Sequence, residues 1–126
     1  MKRLVFPVLF GFWWASSFAS PTAAPVKAEI DALMERLQAS GCQFNRNGSW
    51  YSGAEAKGHI LRKLEYLEGK GTVQNAEQFI ELAASRSSSS GKAYQVKCGN
   101  EPPFESQVWL NKQLSIIRAA SGQPRS

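Results

Sequence analysis

The sequence predicts an α+β domain: four helices packed on a small three-stranded antiparallel sheet, in the order α-β-β-α-α-β-α, with one disulfide. Three observations carry that prediction. Four segments place apolar residues at helical spacing, and three of them open on capping residues. An Asn-Gly pair separates two alternating runs, and a third alternating run follows further on. Two cysteines stand 56 positions apart, one in the first alternating run and one in the last. A chain of 126 residues has room for one such domain.

The first residues read as an address. Met1-Lys2-Arg3 is basic, Leu4 to Ala15 is apolar, and Ser17-Phe18-Ala19 supplies small residues at the positions a signal peptidase requires. Residues 1–19 are therefore expected to be a signal peptide cleaved after Ala19. The competing reading is an uncleaved inner-membrane anchor. The apolar run falls short of the roughly twenty residues that span a bilayer, and it contains Pro7 and Gly11. A cleaved leader leaves residues 20–25 as a Pro/Ala linker, 26–120 as the single domain and 121–126 as a flexible tail, with no transmembrane anchor. The expected compartment is the periplasm, with secretion as the alternative.

Losing Lys2 and Arg3 lowers the formal charge from +5 to +3. That excludes a nucleic-acid binder relying on charge alone. Export also decides how Cys42 and Cys98 are read, since two cysteines in an oxidising compartment most simply form one bridge. The alternative, a metal or redox site, lacks both a CxxC and a ligand set, with His59 the lone histidine. No metal and no cofactor are expected.

Element by element, Ile30, Leu33, Met34 and Leu37 mark one face of a first helix over residues 26–40, stopped by Ser40-Gly41. Residues 42–46 alternate, Asn47-Gly48 gives a type I′ hairpin turn, and Ser49-Trp50-Tyr51 returns. One of Trp50 and Tyr51 should face outward, where a ring near Arg46 and Lys63 could stack on a sugar or peptide; cross-strand packing is the plainer reading. Ser52-Gly53-Ala54-Glu55 is a capping box for a helix over residues 53–68 that buries Ala56, Ile60, Leu64 and Leu67. Asn75 caps a third helix, with Phe79, Ile80 and Ala83 inward, ending near Ser85. After the serine-rich segment 85–92, Tyr94, Val96 and Cys98 alternate as a strand that the disulfide ties to the first. Pro102-Pro103 lies in a loop, and Ser106 caps a last helix carrying Trp109, Leu110, Leu114, Ile116 and Ile117.

Candidate chemistry gathers at two places. His59 and Lys63, one turn apart, form a basic pair on the second helix. Arg46 beside the hairpin turn extends it into an anion-binding edge. The hydroxyls and backbone N–H groups of residues 85–91 offer a nest that cups an anion. The plain readings are an ordinary Glu55–His59 ion pair on a solvated edge and a flexible Ser/Gly linker. An enzyme is not expected: there is no G-x-S-x-G elbow, and the single aspartate, Asp31, lies on the first helix. Glu55, Glu65, Glu68, Glu77 and Glu81 read as exposed helix positions, not as a glycosidase pair.

Taken in order, Cys42-Gln43-Phe44-Asn45-Arg46-Asn47-Gly48, then Glu55-Ala56 with His59 and Lys63, then Ala76-Glu77-Gln78-Phe79-Ile80, and finally residues 84–94 resemble the YfeK-like family of small exported bacterial proteins. The resemblance spans about Ile30 to Arg118. It implies a periplasmic domain of unknown function in a Gram-negative bacterium, and no activity, catalytic residue or cofactor. The family's recurring polar positions fall here on Arg46, Asn47, His59, Lys63, Ser85, Ser88, Ser90, Gly91 and Tyr94. Separately, Ser88-x-Ser90-Gly91-x-x-Tyr94 is similar to a loop of periplasmic inhibitors of C-type lysozyme. Those inhibitors are β-barrels, so what is shared is loop mimicry.

The function expected from the sequence is a non-catalytic periplasmic domain that binds an anionic cell-envelope component or a protein partner through those residues. A hydrolase inhibitor acting through the serine loop is the second reading. A serine hydrolase is the third.

Overall fold

A computed structural model describes residues 22–122. The leader expected over residues 1–19, and residues 123–126 of the tail expected over 121–126, lie outside the described residues. The chain forms α1 (Ala24–Ala39), β1 (Gln43–Arg46), β2 (Ser49–Tyr51), α2 (Gly53–Glu68), α3 (Ala76–Ala83), β3 (Gln95–Lys97), β4 (Phe104–Glu105) and α4 (Ser106–Ser121).

Local chemistry accounts for most of these limits. Pro25 sits in the first turn of α1, where its missing N–H leaves no bond unmade. Ala24 and Pro25 are thus helical rather than linker, and the segment expected to be loose is also tethered. The backbone N–H and hydroxyl of Thr22 both donate to the Glu68 carboxylate, at 3.1 and 2.7 Å. Asn47 and Gly48 take φ of 54° and 89°, the two positive values a type I′ turn needs. The capping box of α2 is complete: Glu55 N–H donates to Ser52 Oγ at 3.1 Å, and Ser52 N–H to Glu55 Oε1 at 2.9 Å. Asn75 caps α3 by accepting from Gln78 N–H at 2.8 Å.

The sheet is antiparallel with strand order β2-β1-β3-β4, one strand more than expected. The extra strand is the pair Phe104–Glu105, opposite Val96 and Gln95. Two residues after Pro102-Pro103 are too few for a period-two pattern, so only pairing with β3 defines them. At the other end of α4, Ser121 is still helical and Gly122 caps it, so the first two residues of the expected tail belong to the helix end. Ser106 does not cap α4 with its side chain. It is wholly buried, and its hydroxyl donates to the Ala84 carbonyl, sewing the start of α4 to the end of α3.

Helix α1 lies against α2, α3 and α4, and the sheet closes the remaining side through Phe44 and Val96, which face each other across β1 and β3. Ile30, Leu33, Met34 and Leu37 are fully buried, as are Ala56, Ile60, Phe79, Ile80, Ala83 and Leu110. Trp109 and Ile117 are half-buried, while Ile116 faces solvent. Cys42 and Cys98 are disulfide-bonded immediately outside the Gln43–Lys97 pair, so the bridge holds β1 beside β3. Glu77 is not an idle surface carboxylate, for Arg118 bridges it to Glu29 and so fastens α4 to α3 and α1. Among the described residues, no helix is long and apolar enough to cross a membrane.

Candidate functional site

One helix face supplies most of the site. His59, Arg62, Lys63 and Tyr66 stand at i, i+3, i+4 and i+7 on α2, alongside the stripe that enters the core. Burial of Ala56, Ile60 and Leu64 against α1 and α3 turns that face toward the end of β1 and the loop between α3 and β3. Between them opens a cleft of about 470 Å³. Of the residues singled out in the sequence, Arg46, His59, Lys63, Ser88 and Tyr94 line it. Arg62, Tyr66, Leu67 and Leu82 line it too, and sequence reasoning missed them as site residues; Ser87 and Ser89 also line it, and they were expected only as part of the segment 85–91. The spacing from His59 was signal enough for Arg62 and Tyr66. Nothing local distinguishes Ser87 from its neighbours.

The other expected residues brace the site without lining it. Asn47, held in its turn, donates through Nδ2 to Ser87 Oγ at 3.2 Å and accepts from Ser90 Oγ at 2.7 Å. Ser85 is buried and donates to the Ile80 carbonyl at 2.7 Å. Gly91 N–H donates to the Ser87 carbonyl at 2.9 Å. The serine segment is therefore a folded loop clipped to the hairpin, not a flexible linker. Nor is it an open nest. The N–H groups of Ser89 and Ser90 point to Ser87 Oγ, that of Gly91 to the Ser87 carbonyl, and that of Lys92 to Ser90 Oγ. On that loop the cleft is lined by Ser87, Ser88 and Ser89, while these four amides bond within the loop.

The electrostatics are one-sided. No carboxylate lines the cleft, and neither Arg46, Arg62 nor Lys63 has an ion-pair partner among the described residues. Lys63 Nζ donates to the Arg86 carbonyl at 3.0 Å and to Tyr94 Oη at 3.3 Å, which leaves one of its three donors. It also lies 5.2 Å from the centre of the Tyr94 ring, itself packed on Phe44. Asp31, the single aspartate, is bound to Lys27 on α1 at 2.9 Å and orients nothing in the cleft. Trp50, the outward ring of the hairpin, borders a separate groove with Gln43 and Ser52, whereas Tyr51 meets the His59 ring edge-on at 5.1 Å.

The Glu55–His59 pair is replaced by another contact. Glu55 turns back into its capping box, and Arg62 Nη2 lies 3.0 Å from His59 Nδ1. Guanidinium can only donate, so Nδ1 is the unprotonated acceptor and the imidazole carries its proton on Nε2. Burial, then the charges of Arg46 and Arg62, hold the imidazole below its ordinary pKa of 6.5, and Glu55 opposes them weakly. As pH falls from 6.5 toward the folded-state value, the unfolded chain takes up the proton before the folded one does. Stability from this group is therefore present above that window and is lost through it. With one histidine in the chain, ring-proton shifts report it directly. The expected midpoint lies below 6.5 and moves up in Arg62→Ala. A midpoint of 6.5 or higher contradicts the Arg62 contact.

Residues 24–118 match the model of a family of unknown function, DUF5329. The chain belongs to that family. It is also 34% identical, over 95 residues, to the uncharacterized protein YfeK of Salmonella typhimurium strain LT2, a match covering 75% of this chain and 77% of the relative. The YfeK-like resemblance read from the motifs is thus correct, and the matched family region contains every residue of the cleft. No solved structure matches the chain.

Proposed function

We propose that the chain is an exported, non-catalytic binding domain of the periplasm whose cleft receives an anionic group of a cell-envelope component. The observation that carries this reading is the gathering, around one concave surface, of three cations that have no ion-pair partner among the described residues. Such a field concentrates anions, and two guanidinium forks beside an ammonium hold an oxyanion by charge-assisted bonds. The hydrolase-inhibitor reading has less support, because Ser88 and Ser89 turn to the chain's own cleft. For catalysis, the cleft offers His59 no carboxylate to orient it as a base.

The test uses the His59 ring resonances while inorganic phosphate, peptidoglycan fragments and lipid A analogues are titrated in. A bound anion favours imidazolium, so the His59 midpoint is expected to rise, by more at low salt than at high. Arg46→Gln combined with Arg62→Gln is expected to weaken binding by at least about a hundredfold, in line with the loss of two charge-assisted contacts at about 1.5–3 kcal/mol each. Resonances that stay unmoved by every anion remove the reading.

A further inference from the structure

The cleft has a second character that a bare anion leaves unused. Tyr66 and Leu82, from α2 and α3, both line it, and both are large apolar side chains left 65% and 43% exposed. Leu67 continues that strip toward the core. The Tyr66 ring is held by Lys70, whose Nζ stands 4.9 Å from the ring centre. The cleft is therefore lined both by three cations and by a small apolar shelf. Its volume of about 470 Å³ falls in the range of roughly 300–1,000 Å³ typical of sites for small organic ligands, well beyond what a lone oxyanion fills.

Resting on the anion-binding reading above, we infer that the ligand is a phosphomonoester with an apolar organic substituent, its phosphate set among Arg46, Arg62 and Lys63 and its substituent laid on Tyr66 and Leu82. Charge count selects phosphate over carboxylate. A carboxylate offsets one of the three cations, whereas a phosphate dianion offsets up to two and presents three oxygens to donors arriving from different elements. Those donors come from β1 and α2, and Ser88 and Ser89 of the loop between α3 and β3 line the same cleft. The shelf then gives the direction in which the ester bond leaves the phosphate.

Three probes at pH 7.5 test this by calorimetry and by the His59 resonances: methyl phosphate, phenyl phosphate and phenylacetate. Covering on the order of 60 Å² of apolar surface predicts about tenfold tighter binding of phenyl phosphate than of methyl phosphate. Phenylacetate is expected to bind more weakly than phenyl phosphate. In the Tyr66→Ser, Leu82→Ser double variant, both side chains being exposed in the parent, the advantage of phenyl phosphate over methyl phosphate is expected to vanish. Equal affinities for the two phosphate esters overturn the shelf and leave the anion site standing. Phenylacetate binding more tightly than phenyl phosphate overturns the phosphate assignment. Failure of all three probes removes the anion site itself.

Discussion

Replacing Cys42 and Cys98 together with alanine is expected to lower the unfolding free energy by about 4 kcal/mol, the chain-entropy figure for a loop of this length. The bridge closes a loop across a sequence separation of 56, so its absence frees a large share of the unfolded ensemble. In a domain of this size 4 kcal/mol is a substantial part of the total stability. Urea unfolding checks it, and parent protein in reductant should unfold at the midpoint of the double variant. The effect also reaches the cleft, because β1 carries Arg46 and leads into Asn47, the residue that clips the serine loop. A loss under about 1 kcal/mol would mean that the denatured chain is already restricted without the bridge.

Two glycines on α2 are expected to respond to alanine with opposite signs. Glycine inside a helix is worse than alanine by roughly 0.5–1 kcal/mol, so Gly58→Ala should stabilise by about that amount. Among the described residues, the one neighbour its Cβ meets within contact range is Arg62 Nη1, at 3.8 Å. Gly53, one turn nearer the start, is buried against the end of α1. A Cβ there collides with the Leu37 carbonyl oxygen and reaches Gln38 Cα at 3.0 Å. Both obstacles are backbone, so α1 and α2 must move apart. Gly53→Ala is therefore expected to destabilise by about 2–3 kcal/mol despite its better helix propensity. Thermal or urea unfolding of the pair decides the matter, and a stabilised Gly53→Ala variant would contradict the close approach of the two helices.

Those opposite signs show how far local reading extends. The first turn of α2, Ser52 to Glu55, announces itself in the sequence as a capping box, and the structure has both of its bonds. Nothing in that turn says that Gly53 touches another helix. His59 behaves likewise. Spacing offers Glu55 and Arg62 equally as partners, and the choice goes to Arg62 because the capping box engages Glu55. In the serine segment, four consecutive serines are alike as letters, yet Ser87 is buried as the hub of the loop, Ser88 and Ser89 are its more exposed neighbours in the cleft wall, and Ser90 does not line the cleft. Asn47, forty positions earlier, makes that distinction.

What the sequence determined by itself was every feature whose cause lies within about a turn of chain. These are the apolar stripes of the four helices, the Ser52 and Asn75 caps and the Asn47-Gly48 turn. The cysteine pairing joins them because only one partner was available. The tertiary structure decided the rest: a fourth strand too short to carry a pattern, the burial of Ser106, and the meeting of Arg46, α2 and the serine loop around one cleft. Periodicity reports which side of an element faces inward, whereas convergence of polar side chains depends on how separate elements pack. That packing is set by the summed contacts of the core, which no single segment contains.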